Sequence, residues 1–233
     1  MNKGVCVIVG AGPGNGAAMG AEFSAAGYRV VLCARNQEKL NAIAEKIPGA
    51  STYAYDVRDT QAAPDVFARI RAEVGPVGIL IYNAGAGAFK NVDNSTLEDF
   101  QSAWEVNCRG LFLAVKEVLP DMRAAGKGSI IVIGATASIK GGANFAPFAS
   151  AKAGQRGFAQ SLARHLGPEK IHVSYVILDG VVNLQRTRQQ MPDKADEFFL
   201  EPSQIAKTVL FLAQQPTQAW SFELDLRPFG EKW

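Results

Sequence analysis

Residues Val5–Gly27, VCVIVGAGPGNGAAMGAEFSAAG, decide how the chain folds. The β-branched run closed by Gly10 reads as a buried strand. From Asn15 onward, small and apolar residues at helical spacing read as a helix that Gly27 ends. Gly10, Gly12, Gly14 and Gly16 crowd the turn between them. Glycines there permit a tight turn and let backbone N–H groups and the start of a helix, with Asn15 in its first turn, approach a pyrophosphate. A tight strand-to-helix turn needs glycine with or without a ligand, so the turn alone is a weak sign. Four glycines within seven residues, in a first βα unit, make a stronger one.

Outward from this unit the same alternation runs through the chain. YRVVLCA, STYAYDV, VGILIYNAG, GSIIVIGA, IHVSYVILDG and SFELDLRPF carry strand signals. NQEKLNAIAEKI, APDVFARIRAEVG, PFASAKAGQRGFAQSLARHLG and PSQIAKTVLFLAQQP carry helical ones, and Ser95 to Ala125 reads as one long helix. Strands separated by helices of this length predict right-handed crossovers and a parallel sheet covered on both faces. With 233 residues, 48% of them apolar, the chain reads as a single domain over 1–233. One segment breaks the rhythm: residues 184–201 are polar and irregular. They form either a solvated connection or a substrate lid over the carboxyl ends of the strands, with Met191, Phe198 and Phe199 closing over an apolar ligand or packing the lid onto the body.

Composition excludes several classes. The formal net charge is +2, and Lys and Arg are scattered among Glu and Asp with no basic run, so no nucleic-acid partner is expected. Neither a signal segment nor a membrane span is legible. Cys6, Cys33 and Cys108 are odd in number, far apart and flanked by apolar residues. They read as buried thiols in a reducing cytoplasm, and no metal-ligand spacing occurs.

Four further stretches, taken in order after the glycines, are specific. Asp56 and Val57 end the third strand, Asn83, Ala84 and Gly85 end the fourth, Asn107 lies in the long helix and Lys152 in the next. With the spacing of Gly10, Gly14 and Gly16, these stretches resemble the short-chain dehydrogenase/reductase family from Val5 to about Leu226. The resemblance implies a Rossmann-type doubly wound α/β sandwich of three layers, with about seven parallel strands and a nicotinamide dinucleotide over their carboxyl ends. It also implies a homodimer or homotetramer joined through the two longest helices, with Trp104 and Phe112 among the contacts. By the same resemblance Gly10, Gly12, Gly14, Asn15 and Gly16 form the pyrophosphate turn, and Asp56 and Val57 flank the adenine. Asn83, Ala84 and Gly85 border the adenosine ribose, Asn107 anchors a water near the lysine, and Gly180 and Val182 lie along the nicotinamide. Arg35 ends the second strand where an acidic residue would accept both ribose hydroxyls of NAD. Its guanidinium can pair with a 2′-phosphate, which favours NADP, although Arg35 can equally be a surface residue ahead of an Asn36 helix cap.

The departures from the family pattern fall on one side of the site. Relatives carry a tyrosine four residues before the lysine, and this chain has Phe148; thirteen residues earlier they carry a serine, and this chain has Ala135. Phe148, Ala135 and Phe145 therefore outline an apolar substrate pocket, while Lys152 and Asn107 on the cofactor side remain. A positioned general acid contributes roughly 10² to 10⁴ in rate, so its loss leaves two readings open. Either an atypical oxidoreductase draws its proton from Thr136, Ser138 or Asp179, or the protein binds NADP(H) silently as a sensor. Asp179 stands where relatives have proline, and its place in a DG pair also suits a turn. The substrate is a small molecule that the sequence does not identify.

Overall fold

The computed structural model describes residues 3–231. Among the described residues there are nine strands and eight α-helices. In chain order they are β1 (Val5–Val9), α1 (Asn15–Ala25), β2 (Arg29–Ala34), α2 (Gln37–Ala44), β3 (Ser51–Ala54), α3 (Ala62–Glu73), β4 (Val77–Tyr82), α4 (Leu97–Trp104), α5 (Gly110–Ala125), β5 (Gly128–Ile133), α6 (Ala146–Leu166), β6 (Ile171–Leu178), β7 (Val181–Val182), α7 (Gln185–Gln190), β8 (Phe199–Leu200), α8 (Pro202–Ala213) and β9 (Glu223–Leu226). Seven strands form one parallel sheet in the order β3-β2-β1-β4-β5-β6-β9, while β7 and β8 pair separately. The order reverses between β1 and β4, which opens a crevice beyond their carboxyl ends.

β1, with five β-branched or small apolar residues, is buried along its whole length, and β6 likewise over eight residues, as a sheet covered on both faces requires. One core, on the face covered by α3, α5 and α6, gathers Phe67, Ile70, Leu80, Leu111 and Val118. The other, beneath α1, α2 and α8, gathers Met19, Phe23, Leu32, Leu40 and Val209. Helix ends follow local chemistry. The Asn36 side chain accepts from Lys39 N at 2.9 Å, Thr96 and Asp99 form a reciprocal capping box on α4, and Gly126 closes α5 in the left-handed region.

Two expectations need correction. Ser95 to Ala125 is not one uniform helix, because a π-turn over Glu105–Arg109 separates α4 from α5. The third strand stops at Ala54, short of Asp56, although Tyr55 N still bonds Ala34 O at 2.9 Å.

Candidate functional site

A cavity of about 270 Å³ lies beyond the carboxyl ends of β1, β2 and β4. Gly10–Gly12, Ala34, Arg35, Tyr55–Arg58, Asn83–Ala86 and Val106 line it. Gly10 has φ +86°, and a Cβ there would run into Ala84 N and lie 2.8 Å from Asn83 C, so only glycine lets the first turn pass so close to the fourth strand. Asn83 binds the two together, donating from Nδ2 to Gly10 O at 2.7 Å and from N to Val9 O at 2.8 Å. At the rim Arg35 is exposed and, among the described residues, makes no ion pair; the Asn36 cap stands beside it. Arg58 pairs with Asp56 at 2.8 Å and holds that carboxyl below the usual carboxylate range, with Arg35 adding to the effect. Both carboxylate oxygens of Asp56 therefore face a guanidinium.

The loop after β4 leads from this cavity to a second region. A Cβ on Gly85 would lie 3.6 Å from Asn107 Oδ1 and 3.8 Å from Lys152 Nζ, and one on Gly87 would lie 3.0 Å from the Phe148 ring. Lys152 is buried, 4% exposed, with Nζ donating to Ile133 O at 3.0 Å and Gln155 Oε1 at 2.9 Å. Burial lowers its pKa to about 8. Nζ lies 6.0 Å from the centre of the Phe148 ring. Asn107, also buried, donates from Nδ2 to Ala86 O and Ala103 O at 2.8 Å, while its Oδ1 has no partner in the ligand-free protein. Phe148 and Phe145 both pack edge-on against the exposed Phe89, with ring centres 5.5 and 5.2 Å apart. Ala135 sits at the carboxyl end of β5, just before a turn over Thr136–Ser138.

The three candidate proton donors are committed elsewhere. Thr136 Oγ1 donates to Asp179 Oδ1 at 2.5 Å, and Ser138 Oγ to Ala135 O at 2.7 Å. Asp179 is also bound by Arg227 at 3.2 Å, so it is a paired carboxylate rather than the lone desolvated acid expected of it. Arg227 in turn reaches Asp225.

Of the residues expected at the cofactor, Gly10, Gly12, Arg35, Asp56, Val57, Asn83, Ala84 and Gly85 line the cavity. Gly14, Asn15, Gly16, Lys152, Gly180 and Val182 lie outside it. Gly14 is in contact with Leu184, Gly16 packs on Ala11, Gly180 packs on Pro228, and Val182 pairs with Leu200 in β8. Asn15 has a buried, unpartnered Oδ1 at the start of α1. The segment 184–201 docks through Leu184. Phe199 is buried under the Arg188 guanidinium and Phe198 lies beneath Lys194, so these rings pack the segment onto itself and the body rather than onto a ligand cleft. His165 is exposed at the end of α6, and His172 stacks on Trp220 at the opposite end of the sheet.

Arg58, Phe89 and Gln155 were missed in the sequence. Each had a signal: a cation directly after Asp56–Val57, an aromatic in the glycine loop after β4, and a polar residue one turn beyond Lys152.

A nicotinamide dinucleotide fits these residues. A Cβ on Gly10 would run into the fourth strand's end, the guanidiniums of Arg35 and Arg58 line the same cavity, and Asn15 and Asn107 each keep a buried, unpartnered Oδ1. Among the described residues no group of His, Cys, Asp and Glu could hold a metal ion, and no helix is long and apolar enough to cross a membrane.

A family model described as short chain dehydrogenase matches residues 4–195. Acetoacetyl-CoA reductase of Rhizobium meliloti (strain 1021) is 31% identical over 220 residues, covering 90% of each chain. A short-chain dehydrogenase from Rhodopseudomonas palustris superposes with a TM-score of 0.83 at 33% identity, over 97% of this chain and 99% of the other. A metagenomic short-chain oxidoreductase in complex with NADP gives 0.84 at 30% identity, over 96% of both.

Proposed function

This chain belongs to the short-chain dehydrogenase family, and we propose that it is an NADP(H)-dependent oxidoreductase that moves hydride to or from a small apolar substrate. The observation that carries the reading is the cavity at the crevice between β1 and β4, walled by glycine and rimmed by Arg35 and Arg58. A guanidinium pairs bidentately with phosphate, and no carboxylate except the neutralised Asp56 lines that cavity to repel one. The complex of the metagenomic oxidoreductase with NADP supports the choice.

When bound, the nicotinamide supplies or accepts the hydride. This chain's part is to hold and to exclude. The first turn of α1 offers N–H groups that have no intrahelical partner. Lys152 offers a buried cation beneath Gly85, and Phe89, Phe145 and Phe148 offer an apolar wall. No proton can come from position 148. The wall suits substrates whose reduction needs no acid at that point, such as polarised alkenes. Drawing a proton from Thr136 or Asp179 means breaking the bond that joins them. The three buried, unpaired cysteines support a reducing cytoplasmic setting.

The test is consumption of NADPH against panels of enones, quinones and ketones, with deuterium placed on the nicotinamide. Deuterium appearing in an enone or quinone product supports the reading. NADPH that binds but is never consumed, with Phe148→Tyr gaining ketone reduction, would mark a silent binder instead.

A further inference from the structure

Gln155 is wholly buried on α6, one turn after Lys152, so both side chains share a face. A buried primary amide must satisfy both ends or cost stability, and this one does. Its Oε1 accepts from Lys152 Nζ at 2.9 Å, and its Nε2 donates to Asn107 O at 2.8 Å. The Tyr175 hydroxyl, from β6, steadies the same group, lying 3.4 Å from Oε1 and 3.3 Å from Lys152 O. Asn107 belongs to the π-turn, the one part of the α4–α5 run where helical spacing is broken. The resemblance implies a water anchored by Asn107 near the lysine; here a side-chain amide joins the Asn107 carbonyl to the lysine.

The substitution changes what the bridge can do. A water passes a proton on by exchanging O–H bonds, whereas a carboxamide holds its N–H protons and transmits only position. We propose that Gln155 is a positioning residue that ties the Lys152 ammonium to the Asn107 carbonyl, where a water would otherwise fit, and fixes it as a static cation for nucleotide binding. Phe148 closes the other side of the lysine with a ring that carries no exchangeable proton. The lysine is then cut off from proton transfer on both sides. This purpose rests on the dinucleotide reading, but the seat of the lysine is a property of the ligand-free protein. The titratable groups facing Lys152 are Cys108 from the π-turn and Tyr175 from β6, and burial pushes both upward, Cys108 to about 11.

The experiment is an NMR titration of ligand-free protein carrying ¹³C-labelled lysine, with the Lys152 signal assigned by its loss in Lys152→Met. The wild-type midpoint is expected at about 8. Gln155→Glu, which sets a carboxylate against the ammonium, should raise it by about 1 to 3 units, and Gln155→Leu, which removes an acceptor, should lower it by about one unit. A crystal structure of Gln155→Ala should show a water within hydrogen-bond reach of both Asn107 O and Lys152 Nζ. Midpoints in folded variants that coincide with wild type, or a dry gap in the alanine variant, overturn the proposal. If the leucine variant does not fold, the glutamate variant, nearly isosteric, decides the titration alone. Shifted midpoints in a protein that fails to bind NADPH would keep the bridge and remove the cofactor reading.

Discussion

Lys152 carries a cost that only its site can justify. Its pKa falls from 10.5 to about 8 because the ammonium is taken out of water, a loss that its two acceptors offset only in part. Between those two values the unfolded chain holds a proton that the folded one has lost, so this residue's contribution to stability rises with pH across that window and is lost as pH falls through about 8. At neutral pH the penalty is on the order of 3 kcal/mol. Lys152→Met should therefore stabilise the protein at pH 7 by about 1 to 3 kcal/mol in urea unfolding, with the gain shrinking toward pH 10. A difference between the two proteins that does not change with pH contradicts the buried-cation account. Phe148 and Lys152 were legible as face-sharing neighbours because helical spacing alone puts them there. Gln155 stands at an equally plain spacing, but which acceptor a buried glutamine meets depends on a π-turn 48 residues away in sequence. Asp179 shows the converse. Its residue type suggested an acid, and only the fold brings Arg227 to it.

Elements were legible where a single period persisted. β1 and α1 follow from the opening stretch, and the Asn36 and Thr96 caps lie where their side chains satisfy orphan N–H groups. The π-turn was not legible. Apolar residues flank it at helical spacing on both sides, and one extra residue per turn shifts the phase too little to register in so short a run. The segment 184–201 was legible as irregular, with its packing onto the body one of two readings; its docking point was not, since the contact of Leu184 with Gly14 joins residues 170 positions apart. The glycine turn carries the sharpest prediction at this scale. Gly10→Ala places a Cβ against Ala84 at a positive φ, and should cost at least about 2 kcal/mol in chemical denaturation. A loss below about 0.5 kcal/mol would mean that the turn is not drawn against the fourth strand as described.

At the scale of the molecule, the strand–helix alternation was enough for the parallel sheet, and the resemblance was enough for its doubly wound order. Neither showed that Arg58 would join Arg35 at one rim, because the two come from the loops after different strands. Phe100, Trp104 and Phe112 are 43, 41 and 46% exposed along α4 and α5, and Phe112 stacks on Phe158 of α6. Burial of that face in a homodimer or homotetramer is the expectation. Light scattering should give a mass of two or four chains, and Phe112→Glu should reduce it; a monomer at micromolar concentration would contradict it. We propose that a phosphorylated dinucleotide is recognised at the rim of the crevice between β1 and β4. Calorimetric titration of the wild-type protein and of Arg35→Ala with NADPH and NADH checks this. Wild type should bind NADPH at least about tenfold more tightly than NADH, and Arg35→Ala should erase most of that preference while leaving NADH binding unchanged. Equal affinities in the wild type, or a preference that survives in Arg35→Ala, would contradict it.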